Sequence, residues 1–212
     1  MSYRSSGLAL VIGSAVQIIV MVFHPVGGSF ERLIRMHNIA IETHAMAIAA
    51  MAITFVGILG LTRALLTEYF LSITGVVFYA VSMVGGLCAA VMNGIAMPAF
   101  AMEYANSDQS ARQAVQPIFE YAHTVSGGFA RVFMVGLVIA VFLFSIAILR
   151  TKVLSRALGI FGIAMAAVLA VLMSMGLIGL DVHTFGIFVF ISALWYIAAG
   201  IQFSRSGPKM IN

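Results

Sequence analysis

The chain has 212 residues, 62% of them hydrophobic and only 8% charged, with a formal net charge of +4 at neutral pH. Soluble domains carry roughly 25% charged residues, so these are too few to cover a water-facing surface, and an all-α polytopic membrane protein is the expected class. No basic cluster is interleaved with polar sequence, which argues against nucleic acid as a partner, and the lone Cys88 excludes an intramolecular disulfide.

A membrane-crossing helix needs about 20 mostly apolar residues, and six runs qualify. The first is Leu8 to Phe23, preceded by Arg4 and closed by His24-Pro25. No small-x-small cleavage motif follows it, so it reads as an uncleaved span and not as a signal peptide. The second, Ile39 to Leu61, is entered through "RMHNIAIETH", which carries His37, Glu42 and His44. The third is Phe70 to Met97. After it, the polar stretch Pro98 to Pro117 is the longest expected loop, with room for a short amphipathic segment. Phe119 to Leu149, Ala157 to Ile178 and His183 to Phe203 complete the set. Small residues recur at four-residue spacing (Gly162, Ala166, Ala170, Ser174; Gly86, Ala90, Gly94), which suits close helix packing. No linker or second domain interrupts the pattern, so residues 1–212 are expected to form one six-helix bundle.

Lys and Arg set the expected orientation. With both termini cytoplasmic, that side carries Arg4, Arg63, Arg150, Lys152, Arg156, Arg205 and Lys209, against Arg32, Arg35 and Arg112 on the other. Arg131 falls inside the fourth run. All five histidines (His24, His37, His44, His123, His183) then lie toward the outer face, as do all the acids except Glu68. Each inward-running helix opens with an acid just before a histidine: Glu42-x-His44, Glu120-x-x-His123, Asp181-x-His183. Two explanations stay open: a shared site, or acids drawn to helix N-termini by the macrodipole.

At about 100° per residue His37 and His44 share a face but stand about 10 Å apart, so they do not form a self-contained chelate. Ser14, Gln17 and His24 make a polar stripe expected to face the bundle interior. An intramembrane Arg131 needs a partner, with Glu42, a cofactor carboxylate or an anionic ligand as candidates, or else snorkels toward the surface. His44 and His123, with Gly127, Gly128 and Arg131, satisfy the requirements of a b-type haem: two axial imidazoles, small residues beside the ring, and a guanidinium for a propionate. His44, His123 and His183 form the alternative set for a copper, zinc or iron ion. Among fourteen methionines, Met92, Met97, Met102, Met173 and Met175 lie toward the same side as soft donors. HExxH, CxxC, Walker and GxSxG motifs are absent from the sequence.

The "HPVGGS" after the first span, with the second span ending "VGILGLTRAL", resembles uncharacterised bacterial six-span integral membrane proteins. That resemblance implies a multi-pass protein of the bacterial inner membrane and carries no settled activity. Six-span cytochromes of the b561 type place histidine pairs on both sides of the membrane. With no histidine on the inner side, this chain has room for one haem at most. The leading expectation is therefore one haem or metal near the outer face, in an accessory subunit of a membrane redox complex. The competing expectations are a structural or assembly subunit without chemistry, and a small-solute transporter or channel. The lipid bilayer is an expected partner under all of them, with other membrane subunits or a second copy of the chain beside it.

Overall fold

In the computed structural model of the protein, which describes residues 2–25 and 29–205, the chain is all-helical. The helices are α1 (Tyr3–Phe23), α2 (Phe30–Ala64), α3 (Tyr69–Val91), α4 (Met97–Glu103), α5 (Gln109–Thr151), α6 (Arg156–Ser174) and α7 (Val182–Arg205). A 3-10 turn at Leu66–Glu68 leads into α3, and a π-helical turn at Met92–Ala96 joins α3 to α4. Counting Leu66–Glu103 as one unit, six helices are long and apolar enough to cross a membrane. Val26, Gly27 and Gly28 of the "HPVGGS" stretch, and Lys209, lie outside the described residues.

The even number of long helices, running alternately up and down, brings α7 back beside the start of α1. Tyr3 and Phe203 rings stand 5.0 Å apart, and the backbones meet where Gly7 faces Gly200. We call this the terminal end and the other the histidine end. Between them the core is apolar, built on Leu10, Ile58, Leu61, Tyr79, Phe144 and Trp195, all essentially solvent-free. Helix α5 crosses closely against α3, where Gly85 lies on the backbone of Phe129 and Phe133. There the Ser82 hydroxyl donates to the Phe133 carbonyl at 2.7 Å, satisfying in the interior a group that lipid could not. Large apolar side chains also face outward along the helices, among them Val22, Phe23, Phe70 and Ile160. Such a surface suits lipid and would be costly in water.

The structure differs from the sequence expectation chiefly at the histidine end. Helix α2 begins at Phe30, nine residues early, and the stretch Pro98 to Pro117 is mostly helix. Pro117 lies inside α5, and the connection shrinks to residues 104–108. The reason is a second small core: Phe30, Met97, Ala101, Val115 and Phe119 recur at helical spacing and bury against one another. Arg112 closes the end of α4, donating to the carbonyls of Tyr104 (3.2 Å) and Ala105 (2.6 Å). At the other end of the run, α6 stops four residues before the expected Ile178. Gly176 adopts φ +70°, and the Leu177 and Gly176 amides bond to the Leu172 and Met173 carbonyls in a Schellman closure.

Asp108 caps α5, its carboxylate accepting from the Ala111 amide and the Ser110 hydroxyl, both at 2.8 Å. Those two bonds, the amide first, hold its pKa below the ordinary aspartate value. The cap is complete above the usual aspartate range and is lost as pH falls through the depressed pKa. Amide exchange at Ala111 is expected to lose protection only in that acid limb, and early loss near neutral pH would contradict the cap.

Candidate histidine site

Helix α1 ends at Phe23, and His24 caps it in an extended conformation. This turns the imidazole inward toward α2. Three polar residues recur along this face: Ser14 is fully buried, Gln17 donates to the Thr54 hydroxyl at 3.4 Å, and His24 meets His44. The predicted α1 stripe therefore faces the bundle, as membrane burial of polar groups requires.

The His24 and His44 rings pack edge-to-face with centroids 4.7 Å apart, and their Nε2 atoms are 3.1 Å apart. The Nδ1 atom of His24 lies 3.0 Å from the Pro25 carbonyl, and that of His44 lies 2.8 Å from the Ala40 carbonyl. Carbonyl oxygens only accept, so Nδ1 of each ring carries the hydrogen. In the neutral rings both Nε2 atoms then present bare lone pairs to each other at hydrogen-bond distance. Two lone pairs at that spacing repel unless a cation lies between them. Burial holds His24 below its ordinary pKa, an effect partly offset by the Pro25 carbonyl, so protonation is not favoured at neutral pH.

His44 is fixed on its third side by the π-helical turn. Gly94 lies flat against the imidazole, and a β-carbon there would overlap the ring atoms. The extra residue of a π turn shifts the helical register, a feature frequent at functional sites. Here it brings Gly94 to the ring and places Asn93 in the cleft.

The cleft has a volume of about 390 Å³, within the range of small-ligand sites. His24, His44, His123, Arg131, Met21 and Met51 contribute to its wall. Of the residues singled out from sequence, His44, His123, Gly127 and Arg131 thus share one cleft. Gly128 does not line it and has open space where a side chain would be. His183 is exposed and outside the cleft, its amide donating to Asp181 Oδ1 at 3.1 Å. The Thr184 amide bonds to the same oxygen at 3.0 Å, so the Asp181-x-His183 pattern is a helix N-cap. Glu42 is exposed and makes no ion pair with Arg131; among the described residues the one ion pair joins Arg150 to Glu68 at the terminal end. His37 turns back to the Ile34 carbonyl at 3.3 Å. Among the described residues no group of three or more His, Cys, Asp or Glu side chains is placed to hold a metal ion.

His24 was absent from both ligand sets drawn from sequence. The available signal was its place on the α1 stripe, seven residues after Gln17, together with the Pro25 that ends the helix.

Fold and cleft together define a class: an all-helical protein with six helices long and apolar enough to cross a membrane, and a histidine-lined cleft at one end of the bundle. Comparison with protein-family models, curated proteins and solved structures returns no match.

Proposed function

We propose that the protein binds one transition-metal ion between His24 and His44, at the non-cytoplasmic face of a bacterial inner membrane. The carrying observation is the two Nε2 atoms 3.1 Å apart, with each Nδ1 at hydrogen-bond distance from a backbone carbonyl, an arrangement that leaves both Nε2 atoms without a hydrogen. Metal-binding histidines characteristically donate their second ring N–H to a carbonyl or carboxylate, which fixes the tautomer and the ring orientation. At metal–nitrogen distances of about 2.0–2.1 Å, a 3.1 Å separation corresponds to an angle of about 100° at the ion, suited to neighbouring ligands. Axial haem ligands sit on opposite faces, with nitrogens about 4 Å apart, and a porphyrin on His44 Nε2 would collide with His24. The pair therefore favours a bare ion over haem.

Two imidazoles leave coordination positions for His123, for solvent or for a thioether. Met21 and Met51 in the same cleft favour copper, with zinc the harder alternative. An incompletely coordinated ion at one membrane face suits an accessory subunit that delivers or uses the metal in a redox complex. The Lys/Arg bias supports both termini on the cytoplasmic side, which puts the cleft on the opposite face.

The test is metal analysis of the full-length protein purified without chelators, then loaded separately with Cu(I) and Zn(II). About one equivalent per chain, retained through dialysis, is expected for one of the two ions. No retained ion under either loading overturns the reading. A second reading, one proton shared by the two rings, rests on the same facing nitrogens and predicts that metal-free outcome. The low pKa of His24 weighs against it.

A further inference from the structure

The charge on Arg131 is not used by the histidine pair. Arg131 makes no hydrogen bond or ion pair with any described residue, yet it stands on α5 19 residues before Arg150. At 1.5 Å per residue that is about 28 Å from the terminal-end arginine, close to the roughly 30 Å thickness of a hydrocarbon core. With Arg150 at one border of the hydrocarbon core, this spacing puts the backbone of Arg131 near the other border, on the histidine side. Arg131 is exposed on the surface of α5, so its charge is open to an anion from outside the chain.

Arg131 stands at the boundary between two cavities. One is the histidine cleft; the other is a groove of about 700 Å³ between α5, α6 and the connection that follows α6. The groove is almost wholly apolar, with Met134, Val138, Ile139, Ala170 and Met173 along it and Arg131 as its one charged side chain. Its long axis follows from the α5 positions: Met134, Val138 and Ile139 descend from Arg131 toward the bilayer centre, covering about 12 Å. The groove opens because α6 is short and ends at Ser174, while α5 continues far beyond it. It is thus charged where headgroups lie and apolar where acyl chains lie.

We infer that this groove is a binding site for one anionic phospholipid of the leaflet on the histidine side, its phosphate paired with Arg131 and an acyl chain laid along α5 and α6. A guanidinium matches phosphate oxygens in a two-pronged hydrogen bond, and this gives the site its preference for an anionic over a zwitterionic lipid. Lipid occupancy depends on Arg131 and the groove between α5 and α6, whereas the paired metal ligands His24 and His44 come from α1 and α2, so each proposal can fail without the other.

The experiment uses full-length protein in a neutral detergent, with phosphatidylglycerol and phosphatidylcholine of identical acyl chains followed by native mass spectrometry. One phosphatidylglycerol is expected to bind about tenfold more tightly than phosphatidylcholine. Arg131→Gln should abolish that preference. Ala170→Trp should fill the groove and weaken lipid binding with Arg131 still in place. Equal binding of the two lipids, or a preference surviving in Arg131→Gln, overturns the inference. So does displacement of the lipid by inorganic phosphate with no effect of Ala170→Trp, which would mark a free-anion site. Should Arg131→Gln fail to fold, the wild-type lipid comparison and Ala170→Trp still decide the outcome.

Discussion

His44→Leu is expected to reduce bound metal from about one equivalent per chain to background, and His24→Leu to do the same. Each imidazole supplies one of two neighbouring ligands, and the survivor alone has no chelate partner at bonding distance. Leucine keeps the buried volume at position 44, which is 7% exposed, so the loss reads as a lost ligand and not as a collapsed site. His183→Leu should leave the metal in place, because His183 stands outside the cleft. His123→Leu is expected to keep the stoichiometry and weaken affinity by about tenfold, as a group at the cleft wall that completes or orients the shell. Binding should also stabilise the fold: at free metal a thousandfold above Kd the gain is about 4 kcal/mol, absent in His44→Leu. Protons compete for the same Nε2 atoms, so occupancy falls as pH drops through the imidazole range. Because burial depresses the pKa of His24, that fall comes at lower pH than free imidazoles would give. A His44→Leu protein that retained a full equivalent would place the metal elsewhere and refute the pair as its site.

The six long apolar helices were legible because hydrophobic run length is a direct property of the sequence. The ends of the helices were not. Helix α2 was expected from Ile39, yet Phe30 and the charged turn after it are helical because Phe30 buries against Met97 and Phe119, a contact made across three segments. The clustering of His44, His123, Gly127 and Arg131 at one cleft followed from span order and helical phase, both local properties. The pairing of His24 with His44 did not, since it depends on how α1 crosses α2 and on the extended cap that turns His24 inward. The acid-before-histidine pattern mixed two causes. Asp181 is a cap for the His183 and Thr184 amides, and Glu120 lies exposed, accepting from the Gln116 side-chain amide at 3.3 Å, so neither acid needs a site to account for it. The tautomers, which carry the metal reading, follow from the positions of the Pro25 and Ala40 carbonyls, which local sequence does not determine.

Gly94→Ala separates the position of His44 from its identity. A β-carbon at 94 would overlap Cγ, Nδ1 and Cδ2 of the His44 ring. The ring has no easy retreat: Nδ1 is bonded to Ala40, Nε2 faces His24, and the side chain is buried. Overpacking of this kind costs about 1–3 kcal/mol, while alanine recovers about 1 kcal/mol of helix propensity over glycine. The net loss of stability is therefore expected to reach about 2 kcal/mol or more, because the ring cannot yield easily. The metal is a different matter, because a chelate tolerates little displacement of a ligand, and Gly94→Ala should lose most of its bound ion although both histidines remain. Gly127→Ala is the informative comparison. There the new β-carbon meets the tip of Leu180 at 2.9 Å, the end of a flexible side chain that swings aside cheaply. The ion between His24 and His44 should survive that change, whereas a haem packed against a bare Gly127 would not. Metal analysis of the two variants, with thermal unfolding of each in its metal-free form, checks both limbs. Full metal in Gly94→Ala would mean that the π-helical turn does not hold His44 in register for the ion.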